Sequence, residues 1–510
     1  MIRLLNKVWI QFLLFLIILI GLFFFLGFWE MFFLGPQGIH FMRQTDSLSF
    51  ASQYFNNGYR FFEPQLFNLK NIDGNAACEF PITYYLTALL YSVFGKNVLI
   101  LKLLHFIILS LGVFSVFRFS YHLIKDYIYA SLLCLFLFTS TVFNYYSFNY
   151  LPDAPALGFI FFGWFFIFEY LRDKKRKTLI ASFVFFTLGS LIKVTYLINP
   201  LTVLVLALFT VLFKKDEIMH KVTAKKIIFW GFLGLTIVLI WNIYILYYNS
   251  ISDSNSFNTR PLPIWNLSMD QIVEVWDYMR NYWYNKYFAH SSFHFLFIIL
   301  LFQIVFAKKS SYKLSILILI LILGSLAYFV LFYSQFKDHD YYFLAFIPLT
   351  IFVIINGIKT LQNITKNKYF HIVTKLILFV ITIVGINYSG MKLQNRYEII
   401  NDDFSRTSQL IHENIKNIEK WNFPEHSKFI IAPDLCQNGG LFFLDRIGWN
   451  IEKKEDITVD KINHYKDLGA DYLLLVSDEY AFLSINEISS ELTFKGKGIE
   501  IYKLKNTTGN

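Results

Sequence analysis

From its start to about position 390 the chain alternates runs of about 20 apolar residues with short polar loops. The runs fall at 8–28, 99–117, 128–146, 155–171, 178–196, 198–213, 227–248, 293–307, 314–333, 341–358 and 371–388. They predict about eleven transmembrane helices, because a segment of this length and composition spans a ~30 Å hydrocarbon core. The segment "FPITYYLTALLYSVFG" (80–95) is as apolar, but at about 16 residues it is short for a crossing. It reads instead as a helix at the membrane interface, with Tyr84, Tyr85 and Tyr91 at headgroup level.

Past 390 the period changes. A polar amphipathic stretch, "DDFSRTSQLIHENIKNIEKW", is followed by a β-rich run, "KFIIA", and a second helical stretch, "VDKINHYKDLGA". A buried-type strand, "DYLLLVS", and a hairpin-like end, "LTFKGKGIEIYKLK", complete it. The pattern predicts a transmembrane domain over 1–390, with a long first outer loop at 29–98, and a small α/β domain over 391–510. The latter has no Gly-rich phosphate loop, so no nucleotide site is assigned to it.

Charge sets the topology. Lys and Arg gather in "FRFSYHLIKD", "RDKKRK", "KKDEIMHKVTAKK", "AKKSSYK" and "KTLQNITKNKY", all on the side of Arg3 and Lys7 if 80–95 does not cross. The positive-inside rule makes that side the cytoplasm and puts the C-terminal domain outside. The net charge of +10 is therefore a topological signal, and no basic and aromatic constellation of a nucleic-acid module accompanies it. With 55% hydrophobic and only 16% charged residues, the chain falls outside the soluble globular class. The first run is too long and too aromatic at its end for a cleaved signal peptide, and reads as a retained span. Cys78, Cys134 and Cys436 form no metal motif by spacing; Cys78 and Cys436 share the outer compartment and are candidates for a disulfide.

Ionisable residues beside spans are costly unless paired or hydrated, and so point to function. Several collect on the outer face. Arg43 and Asp46, in "FMRQTDSLSFA", are spaced to share a helix face, where an ion pair or a helix cap is the structural alternative. Glu79 precedes the interfacial helix, where it would also suit a helix dipole. Asp153 lies between two prolines at the head of a span, and capping is again the alternative. Lys193 sits near the outer end of a run where the positive-inside rule disfavours a cation, although a lysine can snorkel there. "KDHDYY" adds Lys337, His339 and Asp340, and "NTRPLP" adds Arg260.

Acids with separated cations on one membrane face suit transfer from a lipid-linked phosphate. The cations would hold the anionic leaving group while an acid takes the proton of an attacking hydroxyl. An ion-coupled transporter would place its charges near the midplane on broken helices.

The stretches "RQTDSLSFASQYFNNGYRFFEPQ", "EFPITYYLTALLYSVFG", "LPDAPALGF", "LIKVTYLINP" and "DHDYYFLAFIP" resemble, in order, those of the GT-C membrane glycosyltransferases. In particular they resemble bacterial glycosyltransferase family 39, relatives of the protein O-mannosyltransferases and of the lipid A aminoarabinose transferase. The resemblance covers roughly 1–390. It implies a polyprenyl-phosphate sugar donor and an inverting transfer to an acceptor hydroxyl on the extracytoplasmic side of a bacterial inner membrane. Asp46 and Asp153 match the family's acidic positions, and Lys193 matches a cation that contacts the donor phosphate. Two departures stand out: Glu79 replaces a basic residue of the aminoarabinose transferases, and Ser47 replaces a second acid of the mannosyltransferases. No D-x-D metal pair occurs at 46–48, so no metal ligand or cofactor is assigned, and dependence on a divalent cation is left open.

The expected site thus has Asp46 and Asp153 as catalytic acids, with Arg43, Glu79, Lys193, Arg260, His339 and Asp340 binding substrate. The rival readings are a transporter or flippase for a lipid-linked sugar and a non-catalytic scaffold of an envelope-polysaccharide complex.

Overall fold

A computed structural model of the chain describes residues 7–215, 217–257, 261–397, 403–476 and 488–505. It divides into two compact units. One comprises Met1–Phe32, Lys102–Ile243 and Arg260–Asn395; the other comprises Phe33–Leu101, Tyr244–Thr259 and Arg396–Asn510. The first outer loop of the sequence reading therefore shares a compact unit with the C-terminal segment.

The first unit is helical. Among the described residues, eight helices are long and apolar enough to cross a membrane, and ten if each of two bent pairs is one span. All eleven predicted runs fall on helices, but the run at 178–196 is interrupted. Its helix, Arg176–Ile192, has 17 residues and ends where Lys193 adopts extended backbone (φ −145°, ψ 109°), followed by a 3-10 turn at Val194–Leu197. A span that stops at a lysine leaves its ammonium beside backbone that the helix no longer occupies. A second break lies between Tyr127–Leu137 and Thr141–Ser147, which meet at 81°. Ser140 caps the second piece by accepting from the Phe143 N–H.

Two of these helices touch through glycine. A Cβ on Gly112 of Leu99–Ile124 would lie 2.8 Å from the Gly158 Cα of Asp153–Asp173, and one on Gly158 would lie 2.8 Å from the Ile108 carbonyl oxygen. Small residues permit this backbone approach, which supplies van der Waals packing where lipid offers no hydrophobic drive.

The second unit holds a five-stranded sheet in the order β2-β1-β3-β5-β4. β1 is Phe429–Ala432, β2 Gly448–Asn450, β3 Tyr472–Val476, β4 Ser489–Lys495 and β5 Ile499–Leu504. β1 runs parallel to β2 and β3, whereas β5 is antiparallel to β3 and β4. Both faces are covered, so β1 and β3 are buried throughout, as continuous apolar runs imply. Ile430, Ala432, Leu473 and Leu475 point to one face, against Ile462 and Tyr465 of the helix Val459–Asp467. Phe429, Ile431, Tyr472 and Leu474 point to the other, against Ile411 and Ile418 of the helix Arg406–Ile418.

The three-residue strand β2 was not anticipated from the sequence, and its outer edge is occupied. Gly448 N–H donates to the Phe67 carbonyl (3.1 Å), and Leu69 N–H donates to the Gly448 carbonyl (2.7 Å). The segment 67–69 thus docks alongside β2, putting Phe67 in one apolar cluster and Leu69 against the other. Gly448 has φ +156°, and a Cβ there would fall 1.9 Å from the Phe429 carbonyl oxygen, so only glycine fits against the Phe429 backbone.

The helix Ile82–Phe94 also lies in this unit. Its 13 residues rise about 20 Å, less than a hydrocarbon core.

The glycine contact yields a prediction. Gly158→Val should destabilise the protein by about 1–3 kcal/mol, since the branched side chain must push the Ile108 backbone away. Thermal unfolding in detergent checks this; an unchanged transition would mean that the two helices separate freely.

Candidate active site

Each unit contains one cluster of the charges singled out in the sequence. In the second unit the cluster is built on the helix Phe41–Asn56, which is buried over most of its length. Arg43 and Asp46 share a face, as their spacing predicts, with Arg43 Nη1 3.8 Å from Asp46 Oδ2. That separation is too long for a hydrogen bond. The close partner of Arg43 is Glu79, which also accepts from the Tyr84 hydroxyl. The guanidinium lies 3.6 Å from the Cys78 sulfur and stacks over the Phe257 ring, 5.1 Å from its centroid. Glu79 thus sits in a clamp of Arg43 and Tyr84, and Asp46 is left with a cation nearby but not bonded.

Asp46 lies mid-helix and does not cap. Its Oδ1 accepts from Asn438 Nδ2 at 2.8 Å, and the residue is 7% exposed. Burial raises its pKa from 3.8 to about 6, against the opposing pull of Arg43 and the Asn438 hydrogen bond. A carboxyl tuned this way is still mostly ionised at pH 7 and is a better proton acceptor than an exposed aspartate.

Asn438 belongs to the loop that follows β1. There the buried Asp434 carboxylate accepts from the N–H groups of Cys436 (3.0 Å) and Gly440 (3.0 Å), and burial raises its pKa to about 7. Cys436 lies 3.3 Å from the Thr45 hydroxyl. Cys78, Cys134 and Cys436 are all free, so the disulfide considered from the sequence is not formed. Asn438 and Asp434 were missed in the sequence because uncharged or isolated polar residues in loops carry no periodic signal.

In the first unit, Asp153 opens the helix Asp153–Asp173 without capping it. Its carboxylate pairs with Lys193 at 3.3 Å, and the Tyr196 hydroxyl donates to its carbonyl at 3.1 Å. Lys193 lies over the rings of Tyr341 (4.7 Å) and Tyr342 (5.7 Å). The segment that predicted His339 and Asp340 as ligands thus supplies aromatic faces to the lysine. Asp340 itself is fully buried and accepts from the Tyr146 hydroxyl at 2.6 Å. His339 Nδ1 lies 3.3 Å from the Gln335 carbonyl of its own turn. Lys337 pairs with Glu274 at 2.7 Å. Arg260 lies outside the described residues.

Two more buried polar residues in this unit are Lys102 and His105, inside an apolar run where an ionisable group is itself a signal. Lys102 Nζ donates to the Met31 carbonyl at 3.0 Å and lies over Phe148 and Tyr150, while His105 Nδ1 is 3.3 Å from the Asn149 carbonyl. Together they grip the segment that leads into Asp153. Among the described residues, no group of three or more His, Cys, Asp or Glu side chains converges as a metal site.

The fold, with a helical membrane part and a small α/β sheet, is similar to that of solved GT-C membrane glycosyltransferases. In sequence, the profile of the dolichyl-phosphate-mannose-protein mannosyltransferases matches residues 79–247, the part that carries Glu79, Asp153 and Lys193. ArnT from Cupriavidus metallidurans in the apo state superposes with a TM-score of 0.56 at 11% identity, over 96% of this chain and 97% of that one. The same protein bound to undecaprenyl phosphate gives the same values. The apo oligosaccharyltransferase of Archaeoglobus fulgidus superposes with a TM-score of 0.54 at 12% identity, over 92% of this chain and 70% of that one. At these identities the likeness is one of fold. No curated protein sequence matches the chain.

The clamp on Glu79 is testable. Arg43→Met leaves Glu79 buried without its cation and should cost about 3–5 kcal/mol of stability. The double variant Arg43→Met with Glu79→Leu should recover much of that loss. Denaturation of the three proteins measures the coupling, and equal losses in single and double variants would contradict it.

Proposed function

We propose that the protein is a membrane glycosyltransferase that moves a sugar from a polyprenyl-phosphate carrier to an acceptor hydroxyl at the extracytoplasmic face of a bacterial inner membrane. Asp46 is the general base. Its carboxylate takes the proton of the acceptor hydroxyl as that oxygen attacks the anomeric carbon. The bond from that carbon to the phosphate oxygen breaks, and the polyprenyl phosphate leaves with the bonding pair. One displacement inverts the anomeric centre. Arg43 steers Asp46 electrostatically while bonded to Glu79, and Asp153 holds the Lys193 ammonium, which neutralises the departing phosphate. His339, Asp340 and Arg260 remain proposed donor contacts.

The observation that carries this reading is the environment of Asp46: a buried carboxylate with a raised pKa, bonded by a neutral amide and flanked by a cation committed elsewhere. A purely structural ion pair would place Arg43 in hydrogen-bond contact with it. The GT-C fold supports the lipid-linked donor, as does the solved ArnT structure with undecaprenyl phosphate.

Radiolabelled undecaprenyl-phosphate hexoses and pentoses, offered to the purified protein with envelope extract as acceptor, test the reaction. Label should pass to the acceptor. Label carried across a vesicle membrane without transfer would indicate a transporter instead. Asp46→Asn should lower transfer by at least roughly 10²-fold with unchanged folding, in line with loss of a general base. Wild-type activity should fall as pH drops through about 6, because the base works only above its pKa. Near-wild-type turnover of Asp46→Asn would remove Asp46 from this role.

A further inference from the structure

Within the second unit, Asp46 terminates a continuous set of buried hydrogen bonds that begins at the sheet. Asn450, the last residue of β2, donates from Nδ2 to the Asp434 carbonyl at 2.7 Å. Its Oδ1 accepts from Asn68 Nδ2 at 2.7 Å, and the same Asn68 amide donates to the Gln437 carbonyl at 2.7 Å. Asn68 N–H then donates to Asn438 Oδ1 at 3.1 Å, and Asn438 Nδ2 donates to Asp46. Asn68, Asn438 and Asn450 are all buried. An amide whose oxygen accepts a backbone N–H has its orientation fixed, so Asn438 presents its NH₂ and not its oxygen to the carboxylate.

The place in the sheet is informative. Asp434, Asn438 and Asn450 all lie at the carboxyl ends of the parallel strands β1 and β2 or in the loop beyond β1. The chain leaves β1 for β2 on one side and then crosses from β2 to β3 on the other, so the strand order reverses direction at β1. Open α/β sheets place functional groups at this switch point. Here the switch point presents an oriented amide donor to Asp46.

We propose that Asn438 is a positioning residue for the reaction: it holds the Asp46 carboxylate in place and in its ionised form, so that the C-terminal sheet is an integral part of the active site. The inference rests on Asp46 being the base. The charged and titratable groups around Asp46 are Arg43 on its own helix, Cys78, Glu79 and Tyr84 from the following segment, and Asp434 and Cys436 from the sheet loop. Of these Arg43 favours the carboxylate and Glu79 opposes it, so the Asn438 amide is the neutral donor among them.

The test reads Asp46 without substrate. Dicyclohexylcarbodiimide labels protonated carboxyls, and peptide mass spectrometry of the full-length protein locates the adduct at Asp46. Labelling of the wild-type should have its midpoint near pH 6. Asn438→Ala should move the midpoint up by about one pH unit, because a hydrogen bond to the charged form is lost. Asn438→Asp, which keeps the shape but faces one carboxyl with another, should move it up further and decides the matter if the alanine variant does not fold. An unmoved midpoint in the folded variants overturns the proposal, even if transfer activity falls, because that loss would then be structural. Full transfer activity in Asp46→Asn would instead refute the base, whatever the midpoints.

Discussion

The neutral donor at the Asp46 site depends on one short pairing: residues 67–69 of the first loop against the edge of β2. It satisfies backbone groups that a sheet edge would otherwise expose. It sends Phe67 and Leu69 into the two apolar layers of the sheet domain. It also brings Asn68 between Asn450 and Asn438, and so aims the Asn438 amide at Asp46. A glycine at 448 is what lets the backbone of Phe429 in β1 approach this strand so closely. Without this pairing the helix carrying Asp46 would retain its ion-pair neighbours but lose its neutral donor.

The electrostatics of that helix follow from unequal competition for one guanidinium. Arg43 is within Coulombic range of both acids but bonds to Glu79, which also draws on Tyr84. Asp46 therefore keeps a favourable field without a hydrogen-bonded cation, and burial prevails in its pKa. In the membrane unit the solution is different. Lys193 is bonded to Asp153 and sheltered by two tyrosine rings, at a point where the helix has ended and the backbone is extended. An ammonium at a membrane boundary is compensated here by an acid and two aromatic faces, where an isolated one would be costly.

Much of this was legible in the chain itself. The apolar runs located every described helix long and apolar enough to cross a membrane, because length and composition are set by bilayer thickness. The i, i+3 spacing of Arg43 and Asp46 put them on one face, whereas the cation at 193 was read as a phosphate ligand and its pairing with Asp153 was not foreseen. The amphipathic stretch after 403, β1, the helix Val459–Asp467, β3 and the terminal hairpin followed from period alone. What was hidden has a common cause. Asn68 and Asn438 are 370 positions apart and uncharged, so only the fold brings them together. β2 is too short for alternation to register. The grouping of 33–101 with 396–510 includes that pairing, together with Lys70–Glu452, Lys96–Asp445 and Phe41–Phe443, none of which a hydropathy pattern encodes. Lys102 and His105 were visible as ionisable residues in an apolar run, and the run's strong hydropathy masked them.

The decisive measurement is the stereochemistry of transfer. NMR of product formed from a donor of defined anomeric configuration, labelled with ¹³C at the anomeric carbon, reports which face the acceptor attacked. An aspartate acting as base in a single displacement predicts complete inversion. Retention would require a covalent or dissociative intermediate and would contradict Asp46 as the group that activates the acceptor hydroxyl.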